Sequence, residues 1–159
     1  MAGQRQDYIL RQIDLLRKFV AQLTGSGDKG GLEQALQLAL HLQEKLFPMP
    51  AADFLRQTVD DQVASLMAGE SKSAGHAKCL TYAELLQQTA RLYQIRDRDD
   101  LAAGARQLGL QVALLVGLDD PADPAAVALI VTGLLAEVEP LDLLPPVREL
   151  LDEFIRRAG

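Results

Sequence analysis

Apolar residues recur at steps of three and four from the start of the chain. Over residues 6–23, Ile9, Ile13, Leu16, Val20 and Leu23 form one stripe, while Arg11, Asp14, Arg17 and Lys18 keep the rest polar. That period places the stripe on one face of an amphipathic helix. Gly25 ends it, and residues 26–31, Ser-Gly-Asp-Lys-Gly-Gly, read as a flexible link. Leu32–Phe47 repeats the pattern through Leu32, Ala35, Leu36, Ala39, Leu40, Leu42 and Leu46, and Pro48 and Pro50 stop it. Two such helices joined by a short link predict an antiparallel hairpin over 4–47.

One or two shorter helices follow over 51–69, with Phe54, Leu55, Val59, Val63, Leu66 and Met67 as the inward set and the Thr58-Val59-Asp60-Asp61 stretch offering a cap between them. Gly-Glu-Ser-Lys-Ser-Ala-Gly-His-Ala at 69–77 is composed like a flexible loop. Lys78–Ile95 returns to the helical period. Asp97 or Asp99 is placed to cap a helix over about 100–118, where Gly104 and Gly109 would let a neighbour approach. Asp123 and Pro124 stand as N-cap and first residue of a helix over 125–138, apolar nearly all round and so expected at the centre. Pro145 and Pro146 open a last helix, with Leu150, Leu151, Phe154 and Ile155 turned inward. Only Val127–Val131 has the β-branched character of a strand, and it has no partner.

Composition agrees with this pattern. Of 159 residues, 48% are hydrophobic but only 4% aromatic, and leucine and alanine dominate, which favours helix on helix. The chain is long enough for one domain with a sizeable core. Its net charge of −6 argues against a nucleic-acid binder and against general attraction to an anionic membrane. One cysteine, Cys79, excludes an internal disulfide and points to a cytoplasmic protein. Residues 5–14 are interrupted by Arg, Asp and Gln and do not read as a signal peptide. The longest apolar run, Ala125–Val131 resuming at Leu134–Ala136, is too short to span a bilayer.

Two resemblances bear on the fold. Over 78–118, Ala90, Tyr93, Ala102 and Gly109 fall where a tetratricopeptide-like hairpin favours small, aromatic, small and small residues. Arg106 stands where an apolar residue is usual, the closing proline is absent, and no second copy follows near 124–143. The likeness implies hairpin packing over 78–157 and does not establish a peptide-binding solenoid. The whole chain resembles an uncharacterised bacterial family of small helical proteins. These open on a Gln-Asp-Tyr/Trp-Ile-x-Arg-x-Ile helix, matched by Gln6, Asp7, Tyr8, Ile9, Arg11 and Ile13, with Leu80–Leu86 as a second anchor. This resemblance implies a fold and no activity. The expected fold class is all-α: packed antiparallel helical hairpins, tetratricopeptide-like, seven or eight helices in a single domain over 1–159.

Chemistry is sparse. His41 and Glu44 make a His-x-x-Glu pair, short of a zinc-protease helix, which needs two histidines. His76 and Cys79 make His-x-x-Cys, but two histidines and one cysteine cannot fill a zinc site without carboxylates, and none has a distinctive spacing. Cys79 as a nucleophile needs a base held by a third group. Lys29 precedes Gly30, so Gly25–Gly31 is no phosphate loop. Asp97, Asp99 and Asp100 lack the later glycine and glutamate of a calcium loop. The expectation is therefore no catalytic, cofactor-binding or metal residue and no cofactor.

The leading reading is a non-catalytic protein-protein interaction or scaffold protein, whose partner is another protein or itself, as a homodimer through the first helix. One alternative is a small-ligand binder or enzyme assembled from several helices, with His41, Glu44 and Tyr82 as first suspects. Another is a membrane-peripheral adaptor using the basic first helix, with Arg5, Arg11, Arg17 and Lys18. For that helix, packing inside the domain, self-association and membrane contact all stand open.

Overall fold

The structure is a computed structural model. It describes residues 2–26 and 29–158, with the side chains of 2–6, 25, 26, 29 and 30 left aside. Those residues form eight α-helices and no strand. The helices are α1 (Ala2–Ser26), α2 (Lys29–Leu46), α3 (Ala51–Arg56), α4 (Val59–Met67), α5 (Lys72–Ile95), α6 (Asp99–Gly117), α7 (Pro124–Leu135) and α8 (Pro145–Ala158). A 3-10 turn over Pro140–Asp142 begins a strap, residues 140–144, between α7 and α8. The fold is all-α, and Val127–Val131 belongs to α7.

Local chemistry sets the boundaries. The Thr58 hydroxyl accepts from Asp61 N, the Ser71 hydroxyl from Ala74 N and the Asp123 carboxylate from Ala126 N, each at 3.2 Å. Each cap satisfies an amide that the first helical turn leaves without a partner. Pro124 follows Asp123 as the first helical residue. The link between α1 and α2 is shorter than expected: both helices run into residues 26–31, and Gly27 and Asp28 lie outside the described residues.

The core is built around α5 and α6. Cys79, Tyr82, Ala83, Leu85, Leu86 and Leu92 of α5 are buried, as are Ala102, Leu110, Ala113 and Leu114 of α6. The α1–α2 hairpin packs on α5, α4 packs on both central helices, and α7 and α8 pack on α6. Ile9, Ile13, Leu16, Val20 and Leu23 are all buried, so the stripe of α1 belongs to the core. At the α2–α3 corner Phe47 stacks on Phe54 with centroids 4.0 Å apart, and Tyr82 meets both rings edge-on. The Tyr82 hydroxyl donates to Gln62 Oε1 at 3.0 Å.

Several expectations need correction. The flexible loop over 69–77 shrinks to three residues. Ser71 caps α5, which is helical from Lys72, and Gly75 and His76 are buried. Gly75 is there for close approach: a Cβ on it would lie 3.0 Å from Met67 Cγ and 3.2 Å from Met67 Cα. Neither Asp97 nor Asp99 caps α6. Arg98 holds the cap position with no side-chain bond to a helix amide, its guanidinium donating to the Asp100 carboxylate, and Asp97 turns the chain at φ 62°. Asp99 and Asp100 sit in the first turn, where the helix dipole favours acids. The helix expected at the centre over 125–138 ends at Leu135 and lies on the flank, with Leu129 in solvent. Leu55 and Ile155, expected inside, are exposed. Gly109 does approach Ala83, Leu86 and Leu134, whereas Gly104 has nothing near it.

Candidate functional site

α7 and α8 both pack on α6 and scarcely on each other, so a cleft opens between them. Its volume is about 550 Å³. Gly117, the last residue of α6, and Leu118 just after it lie at its base, Ala125 and Ala128 on one wall, and Phe154 and Ala158 on the other. Gly117 makes this geometry feasible: a Cβ there would sit 2.7 Å from Phe154 Cε1 and 3.1 Å from Val127 Cγ1. At the rim, Arg157 donates from Nη1 to Leu118 O at 3.1 Å and from Nε to Glu153 Oε1 at 2.8 Å. It thereby satisfies a carbonyl at the C-terminal end of α6, the end that favours a cation. Arg156 pairs with the same Glu153.

The strap at the opposite end of α8 is held rigidly. Gln107 of α6 uses both ends of its amide on it. Nε2 donates to Asp142 O at 3.0 Å, and Oε1 accepts from Leu144 N at 3.2 Å. Arg148 donates to Pro140 O at 2.9 Å, and Leu143 is buried beneath. The anchored backbone turns its other leucines outward: Leu141 is 90% exposed and Leu144 55%. With Leu129 at 75% and Ile155 at 58%, these are the four most exposed large apolar side chains among the described residues. All four belong to α7, the strap or α8.

Past the end of α7, one cluster of ionisable groups is tied together. Glu137, just past α7, accepts from Arg91 Nη2 at 2.9 Å, Gln87 Nε2 at 3.2 Å and Arg106 Nη2 at 3.4 Å. Burial alone would raise its carboxyl. The bonds and charges of Arg91, with Gln87 and Arg106, outweigh that and hold it below the usual carboxylate range. Arg106 also donates to Gln94 Oε1 at 2.6 Å, while its buried Nε has no partner. This cluster fastens the end of α7 to α5 and α6. Sequence reasoning noticed Arg106 only as a departure from a repeat pattern. Glu137, the first acid after a long apolar run, was the signal for its partner.

The residues singled out from the sequence do not converge. His41 and Glu44 are exposed on α2, and Tyr82 is buried among Phe47, Phe54 and Gln62, where burial pushes its hydroxyl far up. His76 is buried with Nε2 2.8 Å from Asp119 Oδ2, and its Nδ1 has no partner. Lys72 Nζ lies 4.0 Å from the other Asp119 oxygen. Asp119 is 43 positions away in sequence, so spacing could not reveal this pair. Cys79 is buried and its thiol is pushed up to about 12 by burial, only partly offset by Lys78, so it is not a thiolate at neutral pH. No group of three His, Cys, Asp or Glu among the described residues is placed to hold a metal. On α1, Arg17 pairs with Asp14 and Glu84, at 2.8 and 3.4 Å. Arg11 and Lys18 face solvent, and the Arg5 side chain lies outside the described set. No helix among the described residues is long and apolar enough to cross a membrane.

Fold and site together define an all-α domain with an open apolar cleft and paired charges. The chain matches no protein-family model, and neither a curated protein nor a solved structure is found similar to it.

Proposed function

We propose that the chain is a non-catalytic protein-protein interaction or scaffold protein of the cytoplasm. One observation carries this reading: the four most exposed large apolar side chains cluster on the elements that border or follow an apolar cleft. None of the four lines the cleft itself; the open cleft and these side chains are apolar surface that the domain leaves uncovered, and such surface supports a contact. The ionisable residues support the same reading, because Arg91, Arg106, Glu137, His76 and Asp119 are engaged with one another. The burial of the α1 stripe does not support the expected contact through the first helix; among the described residues, its exposed large apolar side chains are Tyr8, Leu10 and Leu15, on its flanks. That also weakens the adaptor reading, since the apolar face a membrane would take is occupied. The bacterial resemblance and the tetratricopeptide-like hairpins over 78–157 belong to this proposal. Buried Ala90 and Ala102 support the α5–α6 hairpin, and buried Arg106 departs from its pattern.

A second reading, a small apolar ligand in the cleft, is favoured by a volume within the range of ligand pockets. Native mass spectrometry of the protein from its own host separates the two. The interaction reading expects the bare chain mass or its protein assemblies. A stoichiometric small-molecule or metal adduct overturns it.

A further inference from the structure

We infer that a smaller pocket, between α2 and α5, binds a free amino acid with a carboxamide side chain, of which glutamine is the natural probe. This goes beyond the interaction reading and does not rest on it. The two helices run antiparallel. Glu33 near the start of α2 meets Arg96 just past α5, and Phe47 just past α2 meets Tyr82 in the first half of α5. Between them they leave a pocket of about 160 Å³.

The floor of this pocket is polar and incomplete. Gln43 and Thr89 line it, at 8% and 5% exposure. The Thr89 hydroxyl donates to Leu85 O, which leaves its oxygen able to accept. Among the described residues the Gln43 amide has no hydrogen-bond partner, and its atoms are not sealed from the pocket. An amide so deep in a helix contact ordinarily finds a partner. A second carboxamide satisfies both of its ends at once, donating to Oε1 and accepting from Nε2. A carboxylate offers no donor and would bring a charge onto a neutral floor. Tyr93 on one side and Leu36 and Leu40 on the other flank the way out, where methylenes fit. The mouth then carries one charge of each sign: Arg96 Nη1 lies 3.3 Å from Glu33 Oε1, and both side chains are more than half exposed. An exposed pair contributes little to stability, so it can open to take the ligand's ammonium on Glu33 and its carboxylate on Arg96. Thr89 and Arg96 stand seven residues apart, about 10 Å along α5. An extended glutamine and the long Arg96 side chain cover that span together.

Titration of the isotope-labelled full chain with glutamine, followed by NMR, tests this. Shifts should move at Gln43, Thr89 and Arg96, with a dissociation constant of about 1 mM, as for a small ligand in an open site. A ligand this weak leaves on desalting, so the purified chain keeps its bare mass and the interaction reading is untouched. Methionine keeps the length and the charged head but lacks the amide, and should bind the wild type at least about tenfold more weakly. Gln43→Leu puts an apolar side chain at a buried position, and should weaken glutamine at least about tenfold while keeping the fold. No shift at these residues at glutamine concentrations far above the expected constant means that water alone fills the pocket, and overturns the site. Methionine binding as tightly as glutamine overturns it too, as does a folded Gln43→Leu that binds like the wild type. If Gln43→Leu does not fold, the comparison of the two amino acids on the wild type decides alone.

Discussion

Gly75 and Gly104 both sit inside helices, and the space around them differs. A Cβ at Gly75 would press on the Met67 backbone and side chain across the α4–α5 contact, whereas one at Gly104 would meet nothing within 4 Å. Gly75→Ala should therefore destabilise the fold by about 1–3 kcal/mol through overpacking. Gly104→Ala should stabilise it by about 0.5–1 kcal/mol through helix propensity and a less flexible unfolded chain. Urea midpoints of the two variants check both signs. Cys79 gives a second residue-scale test. With its thiol buried and raised to about 12, labelling by an aromatic disulfide at pH 8 should be slow. It should accelerate in step with unfolding as urea is added. Rapid labelling of the folded protein would mean that the N-terminal turns of α5 open on their own.

At the scale of elements, α7 shows what pattern alone misses. Its apolar residues go nearly all round, which reads as a central helix, yet Leu129 faces solvent and the central positions belong to α5 and α6. Hydropathy reports how much apolar surface an element carries, and not whether its own domain covers that surface. Val127, Ile130, Val131 and Leu134 bury the inner side of α7, and polar groups fasten its end: Glu137 reaches Arg91, Gln87 and Arg106 on α5 and α6. Because the folded Glu137 carboxyl is held below its unfolded value, its stabilisation is fully present above the unfolded pKa of about 4.3. It is lost as pH falls through the lower folded value. Glu137→Gln should therefore cost about 1–3 kcal/mol at pH 7, and the gap to the wild type should close in acid. A gap that stays constant from pH 7 to pH 3 would show that packing, and not charge, holds this end of α7.

Across the whole molecule, burial is uneven: α5 contains twelve buried residues and α8 only Val147. Hydrogen exchange should be slowest at residues 79–92 and faster along α8, which opens without disturbing the α1–α2 side. The helical class, the N-terminal hairpin, a cap within 58–61 and the cap at Asp123 were legible in sequence, because they rest on periods of three to four residues and on local hydrogen bonds. The start of α5 was hidden, since glycine and serine read as a loop until Met67 is seen against Gly75. The candidate site was less legible than the fold. Its base at Gly117 and its wall at Phe154 are distant in sequence, and Gln107 gives no hint on its own that it holds residues 142 and 144.

The Gln107 amide has one further consequence. It donates to one strap atom and accepts from another, and glutamate matches its shape but donates only when protonated. Gln107→Glu would set an ionised oxygen against the Asp142 carbonyl, raising the folded carboxyl's pKa above its unfolded value. The bond is then complete below the unfolded pKa of about 4.3 and fails as pH rises through the folded one. A single-atom exchange would turn a permanent clasp into an acid-closed latch, read as a stability gap to the wild type that widens from pH 4 to pH 8.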